Sequence, residues 1–290
     1  MASSISEDEL SHIFTELWDV DDNRCLSGED YKLNLQSSLR RSDGDANRSS
    51  EPLFLWLDED RVLARPTYRA FAALLDNYEL AVGVPESVTA EELSENAAFI
   101  QACLDTRPMR AAHRFLAGRG LASQSVRGFA AELDQIWFRM YKRVRGGPRN
   151  LQDSSAFEHV FVGETRSEDG SDSEAASVTG AHNWLQLYLL ERAGRLNYFG
   201  YYRRGTAAPG VDGQPGLAAL KFSLDDGPVK PRGGGFVGVS PEFELALYTV
   251  AFLCCGGQRP QARIGPHRVR VFCHTIGPGC LATCYPELID

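Results

Sequence analysis

The chain has 290 residues, 43% hydrophobic and 24% charged, with a formal net charge of −9. That is enough apolar material for a sizeable core in an ordinary globular balance, and it excludes a low-complexity or disordered chain. No run of about 18 apolar residues is present, which excludes a membrane-spanning helix, and the net acidity excludes a globally basic nucleic-acid binder.

In chain order, Ser6-x-x-Glu9 is a capping-box signature opening a first helix, with Leu10, Ile13, Phe14, Leu17 and Trp18 at helical spacing. Asp19, Asp21, Asn23, Ser27 and Asp30 then fall at positions 1, 3, 5, 9 and 12 of a calcium-loop pattern. Arg24 stands where that loop requires glycine, so a polar turn is preferred to a cation site there. A second helix is expected after Pro66, with Tyr68, Phe71, Leu74, Leu75 and Tyr78 on one face. A third is capped by Thr89-x-x-Glu92 and runs to Leu104. A long fourth carries Val126 to Tyr141, ends in Lys142, Arg143 and Arg145, and stops at Gly146-Gly147-Pro148. His113, spaced with Met109 and Leu116, reads as a packed helix residue.

From about residue 150 the pattern changes to short strands and glycine-rich loops. Phe157–Val162, Leu217–Leu224 and Val269–His274 alternate like strands. Ser240-Pro241-Glu242 is a strong helix start, and the helix it opens, through Leu253, is apolar enough to be buried. Segments 166–177 (acidic, serine-rich) and 205–216 (glycine- and proline-rich) read as surface loops. The predicted organisation is a mainly helical region over residues 1–150 and a second region over 151–290.

Charge divides the chain elsewhere. Residues 1–60 hold 15 acidic and 5 basic side chains, a net of −10, which leaves the other 230 residues at +1. A nucleic-acid site must therefore be local and lie late in the chain. Arg263, His267, Arg268 and Arg270 form a basic stretch that could line such a path or be a polar strand face. The N-terminus has neither a basic nor an apolar leader region, so an intracellular location, cytoplasmic or nuclear, is expected. Accordingly, the seven irregularly spaced cysteines, with no C-x2-C pair, read as reduced thiols rather than zinc ligands.

RNA cleaves itself when its 2′-hydroxyl is deprotonated, its 5′-oxygen leaving group is protonated and the charged phosphorane is stabilised. Two imidazoles and one cation suit those tasks. The chain offers His159 within Glu158-His159-Val160-Phe161-Val162-Gly163-Glu164 and, 23 positions later, His182 within Ala181-His182-Asn183-Trp184. By spacing alone, each histidine is as well explained by packing.

The motifs decide more. SSAFEHVFVGE (154–164), GAHNWLQ (180–186), KPRGGGFVGVSPEFELALYT (230–249) and ATCYPEL (282–288) resemble, in that order, the EndoU endoribonucleases. LWDVDDNRCLSGEDYKLNLQ (17–36) and PTYRAFAALLDNYE (66–79) extend the similarity upstream, so it covers most of the chain and points to the animal branch.

The resemblance implies His182 as general base, His159 as general acid and Lys230 as the phosphorane-stabilising cation. Lys221 is a rival for the last role. Thr283 and Tyr285 match residues that seat the nucleotide, and Glu158 and Glu164 are expected to orient His159 or hold a metal. Relatives often carry serine where this chain has Gly234, so a hydroxyl contact is lost and uridine preference is expected to loosen. The implied cofactor is a divalent cation, Mn2+ or Ca2+, with Asp19, Asp21, Asn23 and Asp30 as weak candidates to hold it. The implied partner is single-stranded uridine-containing RNA, with the protein acting as a monomer. The expected fold is α+β, a helical N-terminal region packed on a catalytic lobe of antiparallel sheets. The expected reaction is cleavage at uridylates to 2′,3′-cyclic phosphate and 5′-hydroxyl ends. The alternative is an inactive RNA-binding protein of the same fold.

Overall fold

The computed structural model describes residues 5–44, 47–166, 176–205, 213–277 and 279–289. The predicted loops at 166–177 and 205–216 lie largely outside them.

The first helix, α1 (Glu7–Asp19), forms as its sequence dictates. Ser6 Oγ accepts from the Glu9 amide, the Glu9 carboxylate accepts from the Ser6 amide, and the apolar stripe from Leu10 to Trp18 is buried. After a small antiparallel pair, β1 (Tyr31–Leu33) and β2 (Phe54–Leu57), come α2 (Glu59–Val62) and α3 (Pro66–Ala73). The remaining N-terminal helices are α4 (Ala90–Leu104), α5 (Arg107–Gly118) and α6 (Val126–Trp137). Each of these three has a side-chain N-cap, from Thr89, Thr106 and Ser125.

Two predicted helices are shorter than expected. The second stops at Ala73, although Leu74 remains buried and Leu75 and Tyr78 pack against the core. The fourth stops at Trp137 because the chain leaves it to pair: the Tyr141 amide donates to the Ser154 carbonyl at 2.9 Å and the Asp153 amide to the Tyr141 carbonyl at 3.2 Å. Helix α5 has the most one-sided apolar pattern of the group, with His113 stacked on Phe129 at 4.5 Å.

The later region holds a five-stranded sheet of order β3-β4-β7-β6-β5, formed by β3 (Glu164–Arg166), β4 (Ser177–Thr179), β5 (Leu196–Arg204), β6 (Gly216–Leu224) and β7 (Val229–Val237). All its pairings are antiparallel except β4 with β7. A three-stranded antiparallel sheet contains β8 (Gln261–Ile264), β9 (His267–Thr275) and β10 (Leu281–Leu288). Helix α7 (Trp184–Arg192) packs on the first sheet. The apolar α8 (Pro241–Cys255) lies against α1, α3 and α5 on one side and β9 and β10 on the other.

One expectation is overturned. Phe157–Val162 is not a strand; Glu158–Val162 form a π-helical turn. The alternation misled because both faces of this segment are buried, so period 2 carried no information about exposure. The Ser155–Glu158 pair closes a reciprocal cap instead, with both cross-bonds at 3.1 Å.

The two regions share one hydrophobic core running from Leu10 to Leu288. The helical region also closes both edges of the five-stranded sheet. The Leu39 amide donates to the Tyr201 carbonyl beside β5 at 2.7 Å, and the Thr165 amide of β3 donates to the Leu80 carbonyl at 2.6 Å. Both edges are thereby denied to strands from other chains. All seven cysteines are free, and among the described residues no helix is long and apolar enough to cross a membrane.

Candidate active site

Backbone hydrogen bonds bring the two histidines together. The Ala181 amide donates to the His159 carbonyl at 3.1 Å and the His182 amide to the Val160 carbonyl at 2.8 Å. The approach is close enough that side chains are excluded. Gly180, at φ +65°, has no room for a Cβ against the His159 carbonyl, and a Cβ on Gly163, at φ +95°, would stand 2.6 Å from that of Ala181.

Each imidazole is held through Nδ1 by a different kind of acceptor. His159 Nδ1 lies 2.6 Å from Glu164 Oε2. The other Glu164 oxygen, Oε1, meets Arg143 Nε at 3.1 Å and accepts from Ser154 Oγ. His182 Nδ1 lies 2.6 Å from the Gly234 carbonyl. A carbonyl or an ionised carboxylate can only accept, so Nδ1 carries hydrogen in both rings and Nε2 is left for chemistry.

The electrostatics separate the pair. Burial, then the nearby Lys230 charge, drives the His182 pKa well below its ordinary value, so the ring is neutral near pH 7 and Nε2 is a free base. Burial also lowers His159, but the Glu164 carboxylate opposes it and favours the protonated ring. Burial alone would raise the Glu164 carboxyl; His159, Arg143 and Ser154 outweigh it and hold that carboxyl below the usual range.

Lys230 is buried on β7, and its Nζ donates to the Gly180 carbonyl at 2.7 Å. Burial lowers its pKa to about 8, which leaves it mostly charged at neutral pH. The rival Lys221 points elsewhere and donates to the Gly44 carbonyl at 2.6 Å.

Tyr285 of β10 stacks on His182, with ring centroids 4.4 Å apart and planes 10° from parallel. It also stacks on Phe272, its cross-strand neighbour, at 5.0 Å. Thr283, earlier on the same strand, has a buried Oγ1 with no partner among the described residues. Gly234 contributes its carbonyl to His182, and a Cβ there would sit 2.8 Å from the Pro286 carbonyl.

Glu158 does not orient His159. It caps its own turn, and burial together with Glu164 and Glu86 pushes its pKa up to about 10, which keeps it protonated. Three residues that the sequence did not single out complete the site. Arg143, read there as a helix-end charge, links Glu164 to the Ala282 carbonyl at 2.7 Å. Asn183 caps α7 and donates to Glu244 of α8 at 2.6 Å, so the backbone next to His182 is anchored from both helices. Asn183 and Glu244 lay within the motifs, and a polar residue just before an apolar helix was the available signal.

The calcium-loop spacing does not build a cage. Asp30 is taken up by Arg61, Arg65 and the Leu26 amide, and no group of three His, Cys, Asp or Glu that could hold a metal occurs among the described residues. Asp21 and Asn23 turn instead towards Glu242 at the start of α8: the Ser240 amide donates to Asp21 Oδ2, and Asn23 Nδ2 donates to Glu242 Oε1 at 2.6 Å. Asp21 Oδ1 and Glu242 Oε2 are buried without a partner among the described residues. Of the basic stretch, His267 is a core residue against Trp18 and Phe236, with burial lowering its pKa to about 4. Arg270 faces a groove beside Tyr202 and Arg232.

Comparison with known proteins identifies the family. The family profile Endoribonuclease XendoU matches residues 9–286. The chain is 40% identical to the poly(U)-specific endoribonuclease of Xenopus tropicalis, over 97% of this chain and 94% of that one. It is equally 40% identical to uridylate-specific endoribonuclease B of Danio rerio, covering 96% and 95%. The solved structure of XendoU, described as a splicing-independent snoRNA-processing endoribonuclease, superposes with a TM-score of 0.81 at 39% identity, covering 99% of each chain. With a matching profile, near-full-length relatives and a shared α+β fold, this chain belongs to the XendoU endoribonuclease family.

Proposed function

We propose that the protein cleaves single-stranded RNA at uridylates by transesterification, leaving 2′,3′-cyclic phosphate and 5′-hydroxyl ends. One observation carries this reading: backbone hydrogen bonds join the segments of two imidazoles, one held by a carbonyl and the other by a carboxylate. Neutral His182 takes the 2′-hydroxyl proton on Nε2. The oxygen attacks the adjacent phosphorus, the P–O5′ bond breaks, and His159, kept protonatable by Glu164, gives its Nε2 proton to the departing 5′-oxygen. Lys230 stabilises the charge that accumulates on the phosphorane oxygens.

Tyr285 and Gly234 fix the plane of His182, while the partnerless Thr283 Oγ1 is the group left to receive the base. Uridine selectivity then rests on the Thr283 side, with no hydroxyl from position 234. The measurement is product-end analysis of a uridine oligonucleotide beside its 2′-deoxy counterpart. Cyclic-phosphate ends from RNA and inert DNA are expected. Cleaved DNA would remove the 2′-hydroxyl from the mechanism, and an intact RNA would favour the non-catalytic binding protein.

We also infer a divalent cation, Mn2+ or Ca2+, as activator. The partnerless oxygens of Asp21 and Glu242, with the neighbouring Asn23 amide, are hard donors of the kind such ions take, water completing the six to eight ligands of calcium. When bound there the ion supplies charge neutralisation between the end of α1 and the start of α8, and no proton step depends on it. Calcium should therefore raise the melting temperature of the wild type and not of Asp21→Asn. An equal rise in both would place the ion elsewhere.

A further inference from the structure

Beyond Tyr285, Glu287 and Leu288 of strand β10 line a groove of about 890 Å³ that is open to solvent. A smaller cleft of about 90 Å³, lined by Gly234 and Tyr285, shares Arg203, Arg232, Glu287 and Leu288 with it. The groove therefore begins at the two residues that hold His182.

Three arginines converge there from three strands: Arg203 of β5, Arg232 of β7 and Arg270 of β9. Glu287 is the acidic residue lining the groove, 3.8 Å from Arg270. Arg203 is braced by donating to the Leu288 carbonyl at 3.1 Å, and Arg232 lies over the Tyr202 ring at 6.0 Å. In a chain of net charge −9 this is a local reversal of sign, and cations beside an aromatic ring are what single-stranded nucleic acid recognises.

The course of β10 also gives the groove a direction. Its first residues sit by the general acid, since Arg143 joins the Ala282 carbonyl to Glu164, the partner of His159. Its middle touches the general base through the stack of Tyr285 on His182. Its last residues line the arginine groove. The acid serves the leaving 5′-oxygen, which belongs to the nucleotide 3′ of the cut. The base serves the 2′-hydroxyl of the nucleotide on the 5′ side. A strand laid along β10 from His159 past His182 thus enters the groove with its 5′ portion.

We propose that Arg203, Arg232 and Arg270 form a subsite for the nucleotides on the 5′ side of the cleaved bond, with phosphates on the guanidinium groups and Tyr202 beside a base. This rests on the acid and base roles proposed above.

The test compares uridylyl-uridine with the same dinucleotide extended by three nucleotides at its 5′ end or at its 3′ end. For the wild type, 5′ extension is expected to raise kcat/KM about tenfold or more, the gain of one stacked base. The Arg232→Gln/Arg270→Gln variant should lose most of that ratio and keep its 3′-extension ratio. Arg203 is left in place because it braces β10. Binding is read separately on the 5′-extended oligonucleotide blocked by one 2′-deoxyuridine at the cut. There the slope of log K against log salt should become shallower by about 0.7 for each arginine removed. A 5′ gain retained by the variant, or a loss confined to 3′ extension, overturns the proposal. If the wild type cleaves none of the three substrates, the transesterification reading is what fails. The blocked oligonucleotide then still decides the groove, and an unchanged salt slope overturns it.

Discussion

Glu164 has the most leverage of any side chain in the site, because its two oxygens serve different neighbours. Oε2 holds His159 Nδ1 and Oε1 meets Arg143, so one buried carboxylate sets both the orientation and the proton affinity of His159, the proposed general acid. Glu164→Gln keeps the shape and removes the charge. The carboxylate raises the His159 pKa, so its loss must lower it further, and the ring then gives up its proton at a lower pH. The alkaline limb of the kcat/KM–pH profile, which reports loss of the acid's proton, is expected to move to lower pH. The acid limb, which the proposed roles assign to His182, should stay nearly where it was, since the main determinants of that ring's pKa are burial and Lys230. An alkaline limb that does not move would separate Glu164 from proton delivery.

At the next level up, α7 and α8 act as a jig for His182. Asn183 Oδ1 accepts from the Leu185 and Gln186 amides, and its Nδ2 reaches Glu244, which also accepts from the Tyr248 hydroxyl at 3.0 Å. Burial raises Glu244 to about 8, so it is largely protonated at neutral pH and tolerates the apolar surroundings of α8. Asn183→Ala removes a helix cap, worth about 0.5–2 kcal/mol, and leaves a buried polar group unpaired for about 1–3 kcal/mol more. Thermal or denaturant melts should show a loss in that combined range. Cleavage by the protein that remains folded should also fall, because the backbone beside His182 is released. A melt unchanged from wild type would show that the cap is redundant.

For the molecule as a whole, the division near residue 150 is a change of secondary-structure type within one core. Helix α8 is buried nearly all round, and α1, α3 and α5 supply one side of its surroundings. The helical region also closes both edges of the five-stranded sheet. A fragment of residues 151–290 would expose the apolar face of α8 and two strand edges, both of which favour aggregation. Expressed alone, it should show no cooperative thermal transition. A sharp, reversible melt from the fragment would mean that the catalytic region carries a sufficient core of its own.

These levels differ in how much of them was legible beforehand. The N-caps and apolar stripes of α1 and α4 and the start of α8 follow from neighbours a few residues apart, so sequence alone determined them. The ordered motifs likewise singled out His159, His182 and Lys230 before any geometry. What only the tertiary structure decided involves partners distant in the chain or segments buried on every side. The turn at Glu158–Val162 belongs here, since uniform burial erases the periodicity that separates strand from helix. So do the Gly234 carbonyl under His182, 52 positions away, and the Arg143 link to Ala282 across 139, whereas the carboxylate under His159 is Glu164, five positions on and already among the residues expected to orient it. Local pattern specifies how a segment folds because its cause is local. The proton affinities of the two histidines come from burial and charges that exist only once distant segments have met.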